Sequence, residues 1–320
     1  MNRDNVLKTS VNEDEIKKHR ILSLNNEEKV KYVDKLIIKY PKMNEIISAI
    51  DECKNKKNFY EPQCMFLSGE RRTGKSITLQ QVIKKYPDII TDELTIKPIL
   101  YCIVPSPLYT GGFVFQLLEA IGDPFTYKQS NITKNTKKLR DFLELCKVEM
   151  IILDEFQHLI DSKRHKVILE CSDWLKNLIN ATRIPVVFAG LPNSVQVFIE
   201  NPQLGDRVLN RREIRAFDYN DKAYRIILDQ FDNALPFESK SSLAQSGLWE
   251  RIFIATEGVM GYTKILLTES TSLALKMNKP LIDEEVLFLA YNNKLFHHNP
   301  INPFSPTFNT GKFIKNKYMK

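Results

Sequence analysis

No apolar run in these 320 residues approaches the roughly 20 that a membrane-spanning helix needs, so no membrane partner is expected. Residues 1–18 are polar and mixed in charge, which excludes the basic-then-apolar order of a signal peptide. Cysteine is scarce: Cys53, Cys64, Cys102, Cys146 and Cys171 form no C-x-x-C pair, and several lie in apolar stretches expected to be core. That pattern argues against zinc or disulfides and for reduced thiols in the cytoplasm. No segment recurs at a period of roughly 20 to 50 residues, which excludes repeat architectures. Acidic residues are missing from two places. Residues 127–138 are basic and amide-rich without one, and Lys312, Lys315, Lys317 and Lys320 close the chain without one.

Hydrophobic residues make up 43% of the chain and charged residues 27%, with a net charge of +7 and a pI near 8.9. This composition is that of a soluble globular protein with one large or two medium domains. The mild basicity permits a polyanionic partner such as DNA without requiring one.

The most informative stretch is Gly69-Glu70-Arg71-Arg72-Thr73-Gly74-Lys75-Ser76, which fits G-x-x-x-x-G-K-[ST] at every fixed position. The apolar run 64–68 precedes it as a strand candidate, and 77–85 follows with Leu79, Val82 and Ile83 on one helical face. Glycines in such a loop turn backbone N–H groups inward on phosphates, and the new helix presents its positive end to the anion. Lys75 is then expected to neutralise β- and γ-phosphate oxygens of ATP, and Ser76 to ligate Mg²⁺. A second anchor is Met150-Ile151-Ile152-Leu153-Asp154-Glu155, a continuously apolar strand running into two carboxylates. Asp154 is the expected Mg²⁺ ligand, directly or through water, and Glu155 the base that activates the attacking water. Gln157 and His158 read as groups that satisfy hydrogen bonds at the strand end.

Farther on, 184–190 is another buried strand, followed by Asn193, a polar group suited either to sensing the γ-phosphate or to capping a turn. Arg207, Arg211 and Arg212 bunch before a short basic edge-strand candidate at 213–217; they are solvated charge or a finger reaching a neighbouring subunit's nucleotide. Five strand candidates (about 64–68, 98–104, 149–154, 184–190 and 213–217) alternate with helices, which predicts an α/β fold with a doubly wound, five-stranded parallel sheet and helices on both faces. The expected division is a mobile arm at 1–25, a nucleotide-binding domain at 26–217, a small all-helical lid at 218–296 and an extended basic tail at 297–320. Candidate nucleotide contacts are the eight motif residues, Ile77, Asp154 and, from the lid, Lys264. Lys128, Lys134, Lys137, Lys138 and Arg140 form a basic stretch that either grips DNA or is a solvated surface loop.

A P-loop, a Walker B Asp-Glu, a polar residue after the next strand, an arginine cluster and a C-terminal helical lid occur in the order of an AAA+ ATPase. Three segments narrow this further. Residues 151–160, the strand 184–190 and Asn201-Pro202-Gln203-Leu204-Gly205-Asp206-Arg207 resemble the TniB/TnsC transposition regulators, with their I-D-E-x-H-x-L, I-P-x-V-x-x-G and Q-L-x-x-R patterns. The resemblance spans about residues 30–280 and departs at Gln157-His158, where acid-x-His is usual; the extra arginines leave the finger open among Arg207, Arg211 and Arg212. It implies a protein that binds ATP, assembles as a homo-oligomeric ring or filament on double-stranded DNA without reading bases, and connects a target-selection protein to the transposase. It also implies that hydrolysis disassembles the filament. Competing readings are another AAA+ DNA protein of the initiator or helicase-loader type, which usually ends in a winged helix that the short tail cannot supply, and a non-DNA signalling ATPase, which would not need the basic stretch.

Overall fold

Continuously apolar runs of this length suit strands covered on both faces, and five strands meet in one sheet. The computed structural model describes residues 16, 18–107, 109–123, 131–161, 165–297 and 299–319. Its strands are Met65–Gly69 (β1), Ile99–Ile103 (β2), Met150–Asp154 (β3), Val186–Gly190 (β4) and Asn210–Ile214 (β5). Their order is β2-β3-β4-β1-β5, every neighbouring pair parallel. The principal helices are Asn26–Lys35 (α1), Pro41–Lys54 (α2), Lys75–Lys85 (α3), Thr110–Ile121 (α4), Ile132–Leu145 (α5), His165–Thr182 (α6), Lys222–Ala234 (α7), Leu248–Thr256 (α8), Met260–Lys276 (α9), Glu284–Lys294 (α10) and Thr310–Lys317 (α11).

The chain divides into two units. Pro41–Arg215 is a sheet unit; the described residues up to Tyr40, together with Ala216 onward, form a helical unit. In the sheet unit, alternate strand residues face opposite ways. Phe66, Leu100, Ile151 and Phe188 join α4, α5 and α6 in one core, while Met65, Ile152, Val187 and Ala189 join α2 and α3 in the other. The parallel sheet with helices on both faces is therefore as the apolar runs predict. The chain leaves β1 toward β2 at one edge and leaves the neighbouring β4 toward β5 at the other, so the crevice at the carboxyl ends of the strands opens between β1 and β4.

Three expectations are corrected. The edge strand begins at Asn210, so Arg211 and Arg212 lie within it, opposite Phe66 and Leu67, and not ahead of it. Its exposed edge carries polar side chains that hide the strand from an apolar search. The basic stretch is helical from Ile132, because the Asn131 side chain caps the Thr133 N–H at 2.8 Å and the Trp174 indole N–H donates to Thr136 Oγ1 at 3.0 Å. The end of the chain is not extended throughout: α11 forms behind an Asn309 cap, and Tyr318 stacks on Tyr219 with centroids 5.2 Å apart.

The helical unit also takes in α1, which the sequence reading assigns to the nucleotide-binding domain. Asn25 and Glu28 close a reciprocal capping box on it, with Glu28 N–H to Asn25 Oδ1 at 2.9 Å and Asn25 N–H to Glu28 Oε2 at 3.0 Å. The chain leaving α1 is tied to α9 by Lys264 Nζ, which donates to the Leu36 carbonyl at 3.0 Å.

Candidate functional site

Two glycines shape the loop after β1. A Cβ on Gly69 would stand 2.5 Å from the Ile214 carbonyl oxygen and 2.8 Å from Thr73 Oγ1, so only glycine lets β1, β5 and the loop approach this closely. Gly74 has φ +111°, a left-handed conformation that side chains resist, and it is the residue from which α3 starts without a side-chain cap. The backbone N–H groups of the first turn of α3 are thereby presented at a positive helix end. Thr73 Oγ1 donates to the Glu70 carbonyl at 2.9 Å and Thr78 Oγ1 to the Gly74 carbonyl at 3.0 Å, which braces the loop from inside. Glu70, Arg71 and Arg72 are exposed around it, and Ile77 continues the helix.

Lys75 Nζ curls over this loop and donates to the Gly69 and Glu70 carbonyls at 2.6 and 3.0 Å. Burial pulls its ammonium below the usual lysine range, with Asp154, Glu155 and Glu70 acting in the opposite sense. Ser76 Oγ donates to Asp154 Oδ2 at 2.9 Å, so two residues 78 positions apart meet at the carboxyl end of the sheet. A hydroxyl and a carboxylate at this spacing beside a phosphate loop suit Mg²⁺, which takes few protein ligands and completes its shell with water and phosphate oxygens. Among the described residues there is no cluster of three or more His, Cys, Asp or Glu that would hold a metal by itself.

Sequence reasoning misses two things here: the part of Tyr101, and the contact with Glu155 made by Gln157, which is expected to satisfy hydrogen bonds at the strand end and does so at Leu191. Tyr101, on β2, donates its hydroxyl to Asp154 Oδ2 at 3.0 Å. Burial and the neighbouring Asp154 charge push the phenol above its ordinary range, so it remains a donor. Asp154 Oδ1 accepts the Glu155 N–H at 2.9 Å. Glu155 itself has φ +56°, rare for a residue with a Cβ and a mark of local strain. Gln157, the second, donates its amide to Glu155 Oε2 and accepts the Leu191 N–H at 3.1 Å. His158 Nδ1 lies 2.8 Å from the Val104 carbonyl, a strand-end contact as expected. The signal for Tyr101 is a phenol inside an apolar strand; for Gln157 it is an amide next to two carboxylates.

The remaining candidates do not join this cluster in the same way. Asn193 is exposed in the turn Pro192–Val195 that follows β4, at the same carboxyl edge. Arg207 is at the other end: its carbonyl accepts the Cys64 N–H at 2.8 Å, just ahead of β1. A five-residue strand is roughly 16 Å long, so Arg207 is remote from its own chain's phosphate loop. Its guanidinium is engaged locally, with Asn180 Oδ1 at 2.9 and 2.6 Å and the Gln203 carbonyl at 2.9 Å. Arg211 and Arg212 are exposed along β5. Lys264 belongs to the helical unit, where burial lowers it below the usual lysine range.

Of the basic residues, Lys128 lies outside the described residues. Lys134, Lys137 and Arg140 are exposed on α5, and Lys138 is held 2.6 Å from the Asp123 carboxylate, whose side chain is fully buried. Lys138 is therefore the least available of the set. Lys137 and Arg140 line a groove with Lys57 and Lys147, shared with the acidic Asp141, Glu144 and Glu149, at the amino ends of β3 and β4.

Residues 29–216 match the family model described as bacterial TniB protein. Nothing matches among the curated proteins. Among solved structures, the chain is similar to the Aeropyrum pernix ORC2 protein in its ADPNP–ADP complexes (TM-score 0.61, 14% identity, 82% of this chain and 71% of that one). It is also similar to Cdc6p from Pyrobaculum aerophilum (TM-score 0.60, 16% identity, 82% and 70%). A third is the Aeropyrum pernix ORC1 protein in complex with DNA (TM-score 0.52, 16% identity, 85% and 68%). At these identities the likeness is one of fold, and the fold is AAA+.

Proposed function

The chain belongs to the TniB family, and from that premise we propose that it is a Mg²⁺-dependent ATPase that regulates DNA transposition. It assembles with ATP as a homo-oligomer on double-stranded DNA in the cytoplasm and links a target-selection protein to the transposase. The observation that carries the ATPase reading is the Ser76–Asp154 hydrogen bond at 2.9 Å, which sets the phosphate loop against the carboxylate pair. Lys75 and the α3 N-terminus bind and orient the phosphates; Ser76 and Asp154 would hold Mg²⁺, which would supply positive charge to the transferring phosphoryl group. Tyr101 fixes the Asp154 carboxylate. Glu155 takes the proton of the attacking water, and Asn193 is the polar group nearest in sequence to the strand end where the γ-phosphate is sensed.

Transposition and its partners are carried by family membership, and DNA by the basic residues of α5 and the groove beside them. DNA held there is held by its phosphates, without base contacts. Among the described residues no helix is long and apolar enough to cross a membrane.

The test compares two variants. Glu155→Gln should keep ATP and DNA binding and lose turnover by about 100-fold or more, while Lys75→Ala should lose ATP binding itself. Hydrolysis by Glu155→Gln at the parent rate would remove Glu155 as base. The likeness to an ORC1 protein in complex with DNA favours a second reading, an initiator-type DNA ATPase. Stimulation of ATP turnover by the transposase, absent with an initiator helicase, separates the two.

A further inference from the structure

One buried side chain connects parts of the site that the chemistry above treats separately. Gln157 is 8% exposed. Its amide nitrogen donates to Glu155 Oε2, and its amide oxygen accepts the Leu191 N–H at 3.1 Å. The carboxylate after β3 is thereby tied to the first residue after β4. Gly190 makes the room: a Cβ there would stand 3.0 Å from Gln157 Oε1 and 2.8 Å from Ser194 Oγ. The lever is firmly mounted. The preceding Phe156 N–H donates to the Ala189 carbonyl at 2.8 Å, and its ring lies 4.8 and 5.6 Å from those of Phe188 and Phe198.

An amide does not titrate near neutral pH, so Gln157 is no acid or base. What it can fix is direction. With Oε2 occupied by the amide, Oε1 is the oxygen left to accept a proton from water. Glu155 needs such a restraint, because at φ +56° it belongs to neither the strand before it nor the helix after it. We infer that Gln157 is a positioning residue for Glu155, setting the carboxylate's angle by reference to the loop after β4, which carries Asn193. A shift of that loop moves the Leu191 N–H, and the base turns with it. This rests on the reading of Glu155 as the hydrolytic base.

The decisive variant is Gln157→Glu in the full chain. It keeps the shape and the acceptor for Leu191 but cannot donate to Glu155 once ionised, so rates are compared on the alkaline side of neutrality, where a proton shared between the two adjacent carboxyls is lost. Its kcat should fall about 10- to 100-fold, the range that misplacement of a reacting group produces. Its KM and Kd for ATP should stay within about twofold of the parent values. Gln157→Ala should behave alike, with melting temperatures of both read alongside; should Ala fail to fold, the near-isosteric Glu variant decides. Added to Glu155→Gln, Gln157→Glu should cause no further loss in single-turnover hydrolysis, since a positioner has nothing left to position. An undiminished kcat, or an equal loss on the Glu155→Gln background, overturns the inference while leaving Glu155 as base. Parent-rate hydrolysis by Glu155→Gln alone overturns the base assignment, and the inference with it.

Discussion

At Gly69 the requirement for glycine is steric and comes from the Ile214 carbonyl, on a strand far along the chain that pairs beside it. Gly69→Ala is expected to lower stability by about 1–3 kcal/mol, read from the urea midpoint, as overpacking does. It should also weaken ATP binding, because the loop must shift. Gly111→Ala is the control: its Cβ would meet nothing closer than 3.5 Å, so stability should hold or rise slightly. Residues of this kind differ in how visible they are beforehand. Lys75, Ser76, Asp154 and Glu155 declare themselves by spacing within short motifs. Tyr101 and Gln157 do not, because their partners arrive across strand neighbours: Tyr101 lies opposite Ile152, two residues from Asp154 on the next strand. The cysteines are legible as core. Burial pushes the Cys64 and Cys102 thiols up to about 12, far from a reactive thiolate.

Among the elements, α5 is where charge and structure combine. Lys134, Lys137 and Arg140 are exposed on it, whereas Lys138 spends its charge on Asp123. Replacing the first three by Ala should leave the fold and nucleotide affinity intact. ATP-dependent binding to duplex DNA should weaken for all sequences alike, with the log–log salt slope flattened by about one unit for each phosphate no longer neutralised. An unchanged slope in a filter-binding or anisotropy titration would move the DNA surface elsewhere. The four strands other than β5 are readable because their runs are mainly apolar, and three of them, β3, β4 and β1, are inner strands buried on both faces. Strand β5 is not, since the apolar pattern points to 213–217 and Asn210–Ile214 forms. Its pairing with β1 is made by backbone, to which side-chain patterns are blind. The amino-terminal half of α5 is equally hidden, for its helix rests on a cap and an indole bond and little on apolar spacing.

For the whole molecule, the placement of Arg207 at the amino end of β1 decides which nucleotide it can serve. It cannot serve its own, so a role in hydrolysis requires a neighbouring subunit. Arg207→Ala should lower turnover without weakening ATP binding, and mixing it with Lys75→Ala chains should restore part of the activity at mixed interfaces. If no mixture with variants at Arg207, Arg211 or Arg212 recovers activity, the sites are not shared. The order of strands has a different consequence, one of time. β1 has neighbours on both sides only when β4 and β5 exist; Cys64 Sγ accepts the Val186 N–H across 122 positions, and Ser68 Oγ reaches the Arg212 carbonyl across 144. The phosphate loop is thus synthesised early and supported late. A nascent chain carries the whole motif long before it carries a pocket, and the pairings that finish the pocket are among the slowest the fold has to find.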